Sequence, residues 1–134
     1  MEVLVDLDVS QWARVRARAS NQDLTKPLRE SMAYVDSRTK LRFLREVDPD
    51  GKPWAPLAPS TLKRKKGTIL RETGRLINSL TWTVAADSAV YFTNVFYSIY
   101  LHFGTRFMPA RPILGLSQKD IETIKSFFLR DIGL

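Results

Sequence analysis

The residues able to do chemistry in this 134-residue sequence are few: one histidine, His102, a run of four cations, Lys63-Arg64-Lys65-Lys66, and scattered carboxylates. One histidine and no cysteine cannot supply the usual zinc ligand sets. A cysteine nucleophile and a disulfide framework are excluded on the same ground, and a reducing compartment fits that composition. A serine nucleophile would need an exposed elbow, and no Gly-x-Ser-x-Gly pattern supplies one. Neither a Gly-x-Gly-x-x-Gly turn nor a phosphate-binding loop occurs. His102 follows aromatic residues and precedes Phe103-Gly104, which suits a structural ring hydrogen-bonded to backbone. Glu46, Asp48, Asp50 and Gly51 fall on positions 1, 3, 5 and 6 of a calcium loop, but the twelfth position is Leu57, where a bidentate glutamate is required. No catalytic, metal-binding or cofactor-binding residue is expected, and the chain reads as a non-enzyme.

Charge and shape remain. The net charge is +7, and the basic excess lies between positions 9 and 75, whereas Glu2, Asp6 and Asp8 make the first eight residues acidic. Such asymmetry suits a polyanionic neighbour, nucleic acid or an acidic protein surface, and equally a solvated basic face. Lys63, Arg64, Lys65 and Lys66 are the densest cations and are expected to face DNA or an acidic partner. No aromatic interleaving or reading helix accompanies them, so any DNA contact is expected to be non-specific.

The acidic start Met1-Glu2-Val3-Leu4-Val5-Asp6 is unlike a signal peptide, and no run approaches the ~20 apolar residues of a membrane span. With 44% hydrophobic and 26% charged residues, residues 1–134 read as a single soluble domain without membrane contact.

The elements that must position these residues follow from periodicity. Residues 2–8 alternate as a half-buried strand. Ser10 is a cap candidate for a short helix carrying Val9, Trp12 and Ala13. Thr25 and Pro27 open a long helix over residues 25–46. Leu28, Met32, Val35, Thr39 and Phe43 form its core stripe, flanked by Leu41 and Leu44. Four prolines between positions 48 and 59 then forbid any regular element, and Asp48-Pro49-Asp50-Gly51 has turn chemistry. Trp54 sits on this stiff loop, either facing a partner or packed in the domain's own core. Ser60-Thr61 opens a short basic helical turn ended by Gly67, and another bend is expected around Thr73-Gly74-Arg75-Leu76.

Residues 79–85 and 89–95 form a hairpin around Ala86-Asp87-Ser88. In its strands Leu80, Trp82 and Val84 alternate with Thr81, Thr83 and Ala85, and Val90 and Phe92 alternate with Tyr91 and Thr93. Phe96 to Phe103 reads as an aromatic-rich helix ending at Gly104. Pro109 and Pro112 bracket an extended segment. Within it, the planar fork of Arg111 either ties the loop to the fold or crosses a subunit boundary. A final helix over 118–131 starts with Ser117 and Asp120 as a capping-box variant and has Ile121, Ile124, Phe127 and Phe128 on its apolar face. The fold class is α+β: a small antiparallel sheet with a β-hairpin, one long amphipathic helix and a C-terminal helix.

The order of local motifs resembles a known family. Asp48-Pro49-Asp50-Gly51-Lys52-Pro53-Trp54-Ala55-Pro56-Leu57 is followed by Pro59-Ser60-Thr61-Leu62, Ile69-Leu70 and Thr73-Gly74-Arg75-Leu76. Tyr100-Leu101-His102-Phe103-Gly104-Thr105 and Pro109-Ala110-Arg111-Pro112-Ile113-Leu114-Gly115 come last. Together these are similar to the phage virion morphogenesis family, the Mu-like tail-completion and head–tail joining proteins, over about residues 25–130. Where the family pattern has Tyr-Ala before the histidine stretch, this chain has Tyr97-Ser98-Ile99-Tyr100. The resemblance implies a non-enzymatic neck protein, made in the bacterial host cytoplasm and carried in the virion. Its expected partners are further copies of itself in a ring, expected to be hexameric, the tail tube or terminator, the head-side connector, and packaged DNA passing through the channel. On this reading Pro49, Asp50, Trp54, Pro56 and Arg111 are the candidate subunit or partner contacts.

Overall fold

A computed structural model describes residues 3–12, 14, 15, 17, 22–56 and 75–132. The basic run Lys63–Lys66, the helical turn around it and Leu57–Pro59 lie outside the described residues. The architecture is α+β, as the pattern predicts. In chain order the elements are β1 (Val3–Asp8), a 3₁₀ turn (Val9–Gln11), α1 (Thr25–Arg45), α2 (Arg75–Ser79), β2 (Thr81–Val84), β3 (Ser88–Thr93), α3 (Ser98–Phe103) and α4 (Gln118–Ile132). No helix among the described residues is long and apolar enough to cross a membrane.

The sheet is antiparallel throughout, with strand order β1-β3-β2. Val5 stands opposite Tyr91 and Leu7 opposite Ala89, while Trp82 stands opposite Tyr91 on the far side. Directly paired residues share a face, so Val3, Val5, Leu7, Ala89, Tyr91 and Thr93 all point inward and are buried. Of the two alternating sets in β3, Val90 and Phe92 therefore take the outer face and Tyr91 enters the core. Its hydroxyl donates to Asp36 Oδ1 on α1 at 2.7 Å. Burial first, then the Asp36 carboxylate, pushes the Tyr91 phenol far above its ordinary range.

Helix α1 buries the predicted stripe: Leu28, Met32, Val35, Thr39 and Phe43 are all inside. Leu41 is half-buried and Leu44 points to solvent. The carboxylate of Asp23, not the Thr25 hydroxyl, receives the first free N–H of the helix, from Thr25 at 2.9 Å. Likewise Asp8, not Ser10, caps the 3₁₀ turn, its Oδ1 accepting the Ser10 N–H at 2.9 Å. The expected short helix is reduced to that single turn, because Val9 is drawn fully into the core and Trp12 packs edge-on against Phe128 of α4.

Helix α4 opens with the predicted capping box: Ser117 Oγ accepts the Asp120 N–H at 3.1 Å, and Asp120 Oδ2 accepts the Ser117 N–H at 3.0 Å. It runs antiparallel to α1. Tyr34 meets Phe127 edge-on, Glu30 pairs with Arg130, and Lys26 lies 3.7 Å from Asp131. The seam is closed near its other end by a buried ion pair between Arg42 and Asp120. Tyr34 donates to the same carboxylate at 3.0 Å.

Candidate docking surface

The proline-rich loop, α3 and the segment from Gly104 to Ser117 are joined around the C-terminal end of α1. Pro49 opens the loop with φ restricted by its ring. Asp48 closes the turn: its carbonyl accepts the Gly51 N–H at 2.9 Å and its Oδ1 accepts the N–H groups of Asp50 and Lys52, each at 2.9 Å. The chain then folds back on the helix end, where the Trp54 N–H donates to the Glu46 carbonyl at 2.8 Å.

Trp54 is 5% exposed. Its ring meets Phe43 edge-on at 5.3 Å, and its Nε1 donates to the Pro112 carbonyl at 2.8 Å. Of the two places the sequence allows, the structure selects the core, which corrects the reading of Trp54 as a surface contact. The physical reason is Phe43: the last buried position of the α1 stripe leaves an apolar slot, and the indole fills it while its one donor finds a carbonyl.

Arg111 is equally enclosed. Its Nε donates to the Ala55 carbonyl at 2.9 Å, its Nη2 to the Pro56 carbonyl at 3.0 Å, and its own N–H to the Leu101 carbonyl at 2.8 Å. It ties loop, helix and strap together within the chain, the first of the two roles its fork suggests. Among the remaining predicted contacts, Asp50 and Pro56 are exposed and Pro49 is half-buried. Pro49 packs beneath the strap, where a Cβ on Gly115 would come within 2.9 Å of its ring.

His102 accepts the Ile113 N–H on Nδ1 at 3.1 Å. Burial holds its pKa below the ordinary imidazole value, and only the neutral ring can accept that bond. A group whose folded pKa is depressed contributes stability that is full above the unfolded value and is lost as pH falls through the folded one. The wild-type melting temperature is therefore expected to drop between about pH 6.5 and 5. The variant His102→Asn, whose amide oxygen accepts without titrating, is expected to show a flatter profile in that window. Parallel profiles would contradict this role.

Gly104 follows with φ +76°, and a Cβ there would lie 2.6 Å from the Ala110 nitrogen. Only glycine accepts both conditions. The chain can then make a tight reversal in which Thr105 and Met108 exchange backbone bonds of 2.9 and 3.2 Å.

With this frame held from inside, a different set of side chains is left outside. Phe96, Tyr100, Phe103 and Phe107 are 70%, 53%, 58% and 85% exposed. The first three are spaced by four and three residues, which aligns them on one side of α3 and its lead-in turn. The reversal presents Phe107 beneath the Arg106 guanidinium at 4.7 Å. None of the four was among the sequence-derived contacts. The available signal was that this helix has apolar residues on two faces, Ile99 and Leu101 packing against the core while Tyr100 and Phe103 do not.

Beside this frame lies an open cavity of about 290 Å³ between the end of α1, the Pro49–Gly51 turn and the start of α4. Arg38, Arg42, Arg45 and Lys119 line it. The model of the phage virion morphogenesis family matches the chain over residues 5–132. No curated protein and no solved structure matches it.

Proposed function

Since this chain belongs to the phage virion morphogenesis family and has the structural role in building the particle that goes with it, we propose that it is a neck protein that completes the tail and promotes stable head–tail joining. It works as a ring of copies around the DNA channel, between the tail tube or terminator and the head-side connector. The observation supporting this reading is the set of four exposed rings, Phe96, Tyr100, Phe103 and Phe107, on a frame that uses its other aromatic and arginine groups internally. Exposed aromatic clusters of this kind mark protein–protein contacts, and aromatic residues dominate the energy of such contacts.

The double variant Phe103→Ser with Phe107→Ser removes two of these rings at positions that contribute little to the monomer. Its melting temperature is expected to stay within a few degrees of wild type, while its ability to restore joined virions is lost. Deletion of the gene in the parent phage, with electron microscopy of the lysate and add-back of purified protein, supplies the assay. Full heads beside separate tails of normal length, rescued by added wild-type protein, are the expected result. Overlong tails would make the protein a length terminator, and normal infectious virions would overturn the neck reading.

The basic excess between positions 9 and 75 favours a second reading, a small non-sequence-specific nucleic-acid-binding accessory protein. Steeply salt-dependent binding of free duplex, with virions assembling normally without the gene, would put that reading first. Under the neck reading the same charge, Lys63–Lys66 included, lines the channel without reading bases.

A further inference from the structure

Resting on the ring reading above, we propose that the cavity at the C-terminal end of α1 is a socket for carboxylate side chains of a second copy of this chain. The cavity is lined by more positive charge than the fold neutralises. Arg42 is occupied by Asp120. Arg38, Arg45 and Lys119 have no ion-pair partner among the described residues, and Asp50 is the one unpaired carboxylate among the lining side chains. Arg38 Nε is buried without a hydrogen-bond partner, a condition native structures rarely leave unmet. The positive end of the α4 dipole adds to the same field. A guanidinium fork suits a carboxylate in both charge and shape.

The shape selects a side chain over a nucleic-acid backbone. Duplex phosphates lie on a broad convex rod and are met by cations that project from a surface. Here the charge lines a recess of about 290 Å³, which a protruding acidic side chain can enter.

The opposite end of the molecule offers such side chains. Asp6 on the outer sheet face and Asp87 in the hairpin turn are exposed, and neither carboxylate has a partner among the described residues. Asp87 lies at the end of β1, its carbonyl accepting the Val9 N–H at 3.2 Å. The chain there continues to Trp12, which packs on Phe128, two residues before the Arg130 that pairs with Glu30 near the start of α1. From Glu30 to Arg45 the helix rises roughly 20 Å. The acidic end and the cationic socket are thus at opposite ends of α1. A two-fold dimer would set like charges together, whereas a head-to-tail contact sets opposite charges together and can close into a ring by rotation.

The test uses purified full-length chain, with self-association followed by sedimentation velocity and native mass spectrometry at low ionic strength. Arg45→Glu with Lys119→Glu changes two exposed residues and is expected to weaken self-association by at least about tenfold. Asp6→Lys with Asp87→Lys is expected to do the same. An equimolar mixture of the two double variants is expected to recover oligomers with alternating subunits, since each socket then meets an opposite charge; circular dichroism checks that each variant is folded. Oligomers insensitive to both reversals overturn the socket and leave the ring reading standing. Wild-type protein that stays monomeric at every concentration overturns both. If the reversal at Arg45 and Lys119 abolishes duplex DNA binding and leaves oligomers intact, the cavity belongs to nucleic acid and the proposal fails.

Discussion

Replacing Arg42 by methionine is expected to lower the stability of the isolated chain by about 3–5 kcal/mol, because it strands a buried carboxylate. Asp120 is 2% exposed and sits where α1, α4 and the strap meet. Burial by itself would raise its pKa. The hydrogen bond from Arg42, the Ser117 N–H, the Arg42 charge and the Tyr34 hydroxyl together hold it below the usual carboxylate value instead. Its folded pKa being depressed, the stability from this cluster is present above about pH 4 and lost as pH falls through the folded value. In Arg42→Met the largest opposing influences are gone, the carboxyl shifts upward, and the variant becomes least disadvantaged in acid. Urea denaturation of both proteins between neutral pH and about pH 4 should show the gap narrowing as pH falls. Adding Asp120→Asn to Arg42→Met is expected to recover part of the loss, since an amide still accepts the Ser117 and Tyr34 bonds without carrying a charge. A single variant as stable as wild type would mean that the pair is not buried as described.

The second large effect is expected at Trp54. Trp54→Ala removes an indole that fills the space against Phe43 and deletes its bond to the Pro112 carbonyl. About 3–5 kcal/mol should be lost from the monomer, measured by thermal or urea unfolding. Trp54→Phe keeps most of the apolar volume and leaves the carbonyl unpaired, so a smaller loss of about 1–2 kcal/mol is expected. A failure of Trp54→Ala in virion assembly would thus report a damaged fold, not a missing contact. The pair Phe103→Ser and Phe107→Ser asks the interface question at exposed positions. Unchanged stability in Trp54→Ala would return this residue to the surface.

Trp54 also marks where local reading stops. A tryptophan among prolines is compatible with either environment; what decides is whether an apolar slot of the right size lies within reach. That slot is made by Phe43 and by a strap nearly sixty residues further along the chain. The same holds for β3, where the alternation of Val90 and Phe92 with Tyr91 and Thr93 defines two faces but not which one meets the helices. Register against Val5 and Leu7 settles it. Arg42 belongs to the charged face by pattern, yet its partner Asp120 stands 78 residues away. The exposed rings of α3 were visible as an aromatic-rich helix. That they stay outside follows from Ile99 and Leu101 already packing against the core on the other face.

From sequence alone came everything governed by interactions a few residues long. The α1 stripe from Leu28 to Phe43 follows from helical periodicity, the turn at Asp48–Gly51 from proline and aspartate chemistry, and the Ser117–Asp120 box from a hydroxyl and a carboxylate three residues apart. The α+β class and the order of the elements follow from those pieces, and the order of motifs pointed to the family. The tertiary structure decided what depends on surfaces meeting: that Trp54 and Arg111 brace the fold from within, that Arg42 and Asp120 neutralise each other in the interior, and that Phe96, Tyr100, Phe103 and Phe107 are left to solvent. Periodicity assigns a side chain to a face, but burial and charge pairing belong to whichever distant segment packs against that face, and only the folded chain brings the two together.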